Sequence, residues 1–156
     1  MPIALRVPTN GVHHATAPVD TEYGYEPSYQ VMHRGSRVAI IAAGSFYQKG
    51  ERVARLLADK GIDATLINPR YLHAVDADTL NGLKADHQFV VTLEDGCKDG
   101  GFGERIASFY GTSSMRVLVG GIKKGLYDRF DVNELLADNR LLDEQIVEDV
   151  IGGLEG

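Results

Sequence analysis

The sequence predicts a three-layer α/β/α sandwich built on a mostly parallel sheet. Three observations carry that expectation. Val38–Ala43, Phe89–Leu93 and Met115–Val119 are continuous apolar runs, the pattern of strands covered on both faces. Between such runs lie apolar residues at helical spacing, Val53, Leu56 and Leu57 in one place, Leu80 and Leu83 in another. Strand and helix patterns alternate at the spacing of βαβ units, whose crossovers are right-handed.

In chain order, Ile3, Ala4 and Leu5, followed by Val7, read as a strand with nothing before it. An apolar strand needs neighbours, so either a longer protein supplies them or the strand docks on a partner chain. Pro8 to Pro27 holds three prolines and two glycines without a period and reads as an extended linker. Tyr29–His33 alternates and predicts an edge strand ending at the Arg34-Gly35 turn, its hairpin supplying the one antiparallel strand. After Val38–Ala43, Gly44-Ser45 offers a turn and an N-cap for a helix that stops at Gly61. Ala64–Asn68 is the next strand, Asp76–Leu83 a short helix, and Phe89–Leu93 a buried strand that gives way to a turn at Glu94-Asp95-Gly96. Phe102–Tyr110 reads as helix and Met115–Val119 as the last core strand. Val132 to Leu154 reads as two helices meeting near Asn139-Arg140.

Composition narrows the function. At 156 residues a chain buries roughly 70% of its unfolded surface and needs no staples. The single cysteine, Cys97, excludes an internal disulfide framework and a CxxC metal cluster. Sixteen Lys and Arg against 22 Asp and Glu leave a net charge of −6, which argues against nucleic acid as a partner. No apolar run approaches the roughly 20 residues of a membrane span, and the start lacks the pattern of a secretory signal. A cytoplasmic setting is therefore expected.

In an open α/β sheet, ligands sit beyond the C-terminal ends of the strands. The loops there bring Ser45, Arg70, His73, Glu94, Asp95, Lys98, Asp99, Lys123, Lys124 and Arg129. Gly100-Gly101-Phe102-Gly103 ahead of a helix can offer amides to an anion, but it is neither GxGxxG nor a P-loop. Close packing of helix on strand explains those glycines better. Glu94 can act as a base if desolvated, yet a carboxylate at a strand end more often caps the next turn or pairs with a neighbour such as Arg70. Arg70 can fork onto a phosphate or form that structural pair. His13 and His14 adjoin on extended backbone, which suits no metal; His33, His73 and His87 lack ligands at useful spacing. Cys97 has no nucleophile signature around it and no GxSxG elbow is present. The residues alone therefore give no catalytic constellation and no metal ligands. They suit a domain serving something else, or a free-standing module whose glycine loop holds an anion as a regulatory site.

Ile3-Ala-Leu-Arg-Val-Pro8, Val38–Gly44, Asn68-Pro-Arg-Tyr71 with Asp76, and Val91-Thr-Leu-Glu-Asp95 ahead of Gly100-Gly-Phe-Gly103, in that order, resemble the C-terminal domain of transketolase-type thiamine diphosphate enzymes. Within that family the 1-deoxy-D-xylulose-5-phosphate synthase branch is most similar. Transketolase itself, or the β subunit of a 2-oxo-acid dehydrogenase, shares the pattern. The resemblance implies that residues 1–8 end a preceding pyrimidine-binding domain, 9–27 form a linker and 28–156 are the C-terminal domain. It implies a parent transferase that joins pyruvate to glyceraldehyde 3-phosphate with loss of CO2, for isoprenoid and thiamine precursors. Thiamine diphosphate and Mg would be held upstream: the family's metal-diphosphate motif and activating glutamate are absent from this sequence. No cofactor or catalytic residue is expected in the chain itself, which would be inactive alone. Its partners would be the upstream cofactor-binding domains or a complementary subunit, in a homodimeric parent. Arg6, Arg70, Glu94, Gly100, Gly101 and Gly103 are the expected interface or anion-binding positions. Three departures stand out: Thr9 replaces a family arginine, His73-Ala-Val-Asp76 lacks the family proline, and Gly120 to Leu142 follows the pattern poorly.

Overall fold

A computed structural model describes Glu22 and residues 24–156. The apolar start, Arg6, His13 and His14 lie outside the described residues. Five strands form one sheet: β1 Gln30–His33, β2 Arg37–Ala42, β3 Thr65–Asn68, β4 His87–Cys97 and β5 Arg116–Ile122, in the order β1-β3-β2-β4-β5. β2 to β5 run parallel, and β1 lies antiparallel on the outer edge of β3. The helices are α1 Tyr47–Ala58, α2 Ala77–Leu83, α3 Phe102–Tyr110, α4 Val132–Asp138 and α5 Asp143–Glu155.

The unbroken apolar runs now have their cause. Successive side chains of a strand point to opposite faces, and here both faces are covered. Val38, Ile40 and Ala42 of β2 pack with Val53 and Leu57 of α1 and with Ile146, Val147 and Val150 of α5. Ala39 and Ile41 pack on the other side with Leu80 and Leu83 of α2 and with Phe102, Ile106 and Tyr110 of α3. Fully burying a side chain of this size contributes about 1.5–3 kcal/mol. The predicted three-layer sandwich is therefore the observed one.

Local chemistry sets the helix ends. Asp76 is the N-cap of α2 and accepts from the Thr79 amide at 2.9 Å. It also accepts from the Tyr29 amide at 2.8 Å, which fixes the residue before β1 to the start of α2. Beyond α1, Gly61 adopts a φ of 80°, the left-handed turn that glycine takes most readily.

Three expectations are corrected. β1 makes no hairpin with β2; it crosses to pair with β3, Val31 opposite Ile67. Ser45 does not cap α1: it sits in a single 3-10 turn, Gly44–Phe46, and α1 starts at Tyr47 without a side-chain cap. The Ser45 hydroxyl is engaged across the sheet end instead. β4 does not stop at Leu93 but runs to Cys97. Leu93 pairs with Gly120 and Cys97 with Ile122, so β4 carries two extra residues across that interval. Such a bulge bends a strand and re-aims its side chains, here around Glu94 and Asp95.

Candidate functional site

The connection from β2 through α1 leads outward to β3, whereas β4 connects through α3 to β5 on the opposite side. The C-terminal ends of β2 and β4 therefore flank the point where the winding reverses, the place such sheets offer to ligands. The Ala43 amide donates to the Leu93 carbonyl at 2.8 Å, and the Ser45 hydroxyl donates to the Asp95 carboxylate at 2.8 Å. These two bonds tie the rims of the crevice together.

Beside it, the bulge turns Glu94 inward, leaving it 8% exposed. Its carboxylate accepts from the Phe102 amide at 3.1 Å and the Gly103 amide at 2.9 Å, at the start of α3. The helix N-terminus that the glycine loop presents thus already holds an anion, supplied by the chain itself. The neighbouring amides are also engaged: Gly100 donates to Glu104 at 2.7 Å and Gly101 to the Lys98 carbonyl at 3.0 Å. Gly103 is glycine for want of room. A Cβ there would stand 2.4 Å from Thr92 Oγ1 and 2.6 Å from Val119 Cγ1.

The remaining acids of the loop are held in the same way. Asp99 accepts from the Lys124 amide at 3.0 Å, and that bond first, with the Cys97 thiol contributing, keeps its carboxyl below the usual range. Cys97 is exposed. At the end of β3, Arg70 sits at a φ of 57° with its amide on Asn68 Oδ1 at 3.2 Å and its guanidinium 5.9 Å from the Tyr71 ring. The Tyr71 hydroxyl donates to the Gly24 carbonyl at 2.9 Å. Arg105 donates to the Leu72 carbonyl at 2.7 Å, fastening the β3 loop to α3. Burial pushes the Asp76 carboxyl up, but the amides of Thr79 and Tyr29 outweigh it and hold the group below its ordinary value.

Of the expected positions, Glu94, Gly100, Gly101 and Gly103 therefore meet in one motif, the strand-to-helix turn after β4. Arg70 belongs to the loop after β3, and Arg6 is outside the described residues. Chemically, each of these carboxylates accepts hydrogen bonds that hold the shape of the strand ends. Among the described residues no three His, Cys, Asp or Glu gather as metal ligands.

Two clusters went unnoticed in the sequence. Lys49 is 8% exposed, and its ammonium reaches Asp143 at 2.7 Å, where Arg52 also donates, so α1 and α5 are clasped by charge. Burial works to raise the Asp143 carboxyl, but Arg52 and Lys49 overcome it and leave the group lowered. His87 is buried at the start of β4, with Nε2 2.8 Å from Thr65 Oγ1 and Nδ1 2.6 Å from Asp86. The Gly35 amide donates to that same Thr65 oxygen at 2.9 Å, tying the turn after β1 to the buried ring. The only sequence signal was Asp143 in the first turn of a helix, a common place for an acid.

Residues 28–127 match the family model described as "Transketolase, C-terminal domain". The chain belongs to that family. The match ends inside the stretch from Gly120 to Leu142 that follows the family pattern poorly. Among curated relatives, 1-deoxy-D-xylulose-5-phosphate synthase of Gloeothece citriformis is 31% identical over 157 residues, which is 96% of this chain and 24% of the relative. The same enzyme of Symbiobacterium thermophilum is 36% identical over 101 residues, 65% of this chain and 15% of the relative. The chain thus spans about a quarter, or less, of the length of these relatives. Among solved structures, a split-gene transketolase described as an inactive β4 tetramer superposes with a TM-score of 0.74 at 24% identity, covering 88% of this chain and 45% of that one. Transketolase of Pichia stipitis gives 0.57 at 12% identity, over 81% of this chain and 18% of that one. These neighbours share the fold.

Proposed function

We propose that the chain is the C-terminal domain of a thiamine-diphosphate-dependent transferase of the 1-deoxy-D-xylulose-5-phosphate synthase kind, acting in the cytoplasm. The observation that carries this reading is the relationship to curated synthases along nearly the whole chain, 96% of it, over about a quarter of theirs. The complete enzyme would join pyruvate to glyceraldehyde 3-phosphate and release CO2. This domain would build the homodimer and shape the approach to the substrate site, with residues 28–156 as its body, 9–27 as a linker and 1–8 as the end of the preceding domain.

The groups of the turn after β4 that could meet a magnesium diphosphate are already engaged within the chain. The amides of the glycine loop all donate within the chain, Glu94 caps α3, and Asp95 and Asp99 accept from Ser45 and Lys124. This supports placing thiamine diphosphate and Mg on the polypeptide that corresponds to the relatives' other three quarters, joined to this chain or supplied separately. Arg70 and the turn from Glu94 to Gly103 are then interface elements, held rigid for a neighbouring domain. The test is CO2 release from pyruvate and glyceraldehyde 3-phosphate. The chain alone is expected to be inactive, and the chain joined behind the remaining part of a synthase is expected to turn over. Turnover by the chain alone would overturn the reading.

A further inference from the structure

The helices bury apolar side chains on the sheet, but one stretch of the chain keeps its own in solvent. Every residue from Lys123 to Glu134, the connection from β5 into the first turn of α4, is exposed. Leu126 is 104% exposed, Val132 54%, Phe130 52% and Tyr127 43%. α1, α2, α3 and α5 each bury residues, whereas α4 buries none. Apolar surface gathered outside the core in this way marks a contact with another molecule.

The stretch is also held in shape. The Lys123 amide donates to Asn139 Oδ1 at 2.7 Å and the Lys124 amide to Asp99 at 3.0 Å. The Tyr127 hydroxyl donates to the Lys123 carbonyl at 2.6 Å, and its ring meets Phe130 edge-on, 6.2 Å between centroids. Asp131 accepts from the amides of Asn133 and Glu134 at 2.8 and 3.0 Å. A surface shaped before it docks loses little freedom on docking.

Charge identifies the partner. The whole chain carries −6, so two copies repel each other over most of their surface. Between Lys123 and Glu134 the balance differs: Lys123, Lys124 and Arg129 offset Asp128, Asp131 and Glu134. Among the described residues no ion pair within the chain engages the side chains of Lys123, Lys124, Arg129 or Glu134. A two-fold contact sets a patch against its own copy, so it needs apolar surface with both signs of charge beside it. We propose that this stretch is the face through which two copies of the chain pair. Leu126, Tyr127, Phe130 and Val132 form its centre, and the cations of each copy face the acids of the other. The inference rests on the assembly role proposed for the domain and names the surface that carries it. A standard interface takes about 20–30 residues a side, and this stretch supplies about half of that, so a weak dimer with a Kd of roughly 1–100 µM is expected.

The test is sedimentation equilibrium of the chain from about 1 µM to about 500 µM. A monomer–dimer equilibrium is expected. Leu126→Ser with Phe130→Ser should weaken it at least about tenfold, and so should Lys123→Glu with Lys124→Glu, which turns a neutral stretch acidic. Val31→Ser with Met32→Ser removes exposed apolar side chains from β1, at the other edge of the sheet, and should leave the equilibrium unchanged. Circular dichroism checks that each variant folds. A chain that stays monomeric throughout, a dimer indifferent to the Leu126 and Phe130 pair, or one lost equally with the Val31 and Met32 pair would each overturn the proposal. None of these results bears on CO2 release by the chain joined behind the rest of a synthase, so that reading stands or falls separately.

Discussion

Glu94, a candidate base in the sequence, caps a helix in the fold. Its two acceptor bonds satisfy the first amides of α3, which have no partners within the helix. Glu94→Ala leaves both buried donors unmatched and is expected to cost about 2–3 kcal/mol in urea unfolding. A loss under about 0.5 kcal/mol, the range of ordinary surface changes, would show that the cap does not matter. Gly103→Ala is a separate test of the same turn. Alanine favours helix, yet its Cβ would overlap Thr92 and Val119, so a net loss of about 1–3 kcal/mol is expected from the midpoint of denaturation. The choice between cap and base was visible in the sequence as two options. The cap forms because the bulge in β4 turns Glu94 inward, which no local pattern announces. The glycines were legible as packing because a run of three beside one aromatic, at the mouth of a helix, leaves little else for them to do.

At the scale of elements, the clasp between α1 and α5 holds the outer layer on one face of the sheet. Asp143 faces the buried Lys49, so Asp143→Asn should cost about 2–3 kcal/mol by leaving that ammonium unpaired. The same pair sets a pH dependence. The folded carboxyls of Asp143 and Asp76 lie below their ordinary value of 3.8, so each contributes stability that is complete above that value. That stability is lost as pH falls through the folded values. Melting followed from pH 7 to pH 2 should therefore fall steeply below about pH 4, and Asp143→Asn should flatten that fall; an unchanged acid limb would contradict the clasp. Strands and helices were largely legible here, because burial on both faces writes continuous apolar runs and helices write a 3.6-residue repeat. The partner of β1 was not. A turn at Arg34-Gly35 suits a hairpin with β2, but β2 already has β3 on one side and β4 on the other, so β1 can join only at the edge.

Across the whole molecule, the amides and carboxylates of the turn after β4 are engaged within the chain, and the sequence relationship points to enzymes about four times longer. The assembly role proposed for the domain accounts for both facts. It also accounts for the exposed side chains of Leu72, Leu126, Tyr127 and Phe130, all in loops beyond the C-terminal ends of the strands. The most direct measurement is titration of the chain alone with thiamine diphosphate in the presence of magnesium, followed by calorimetry. No saturable heat is the expected result. Stoichiometric binding would contradict the assignment of the cofactor site to the rest of the enzyme and would make the turn from Glu94 to Gly103 the first place to search.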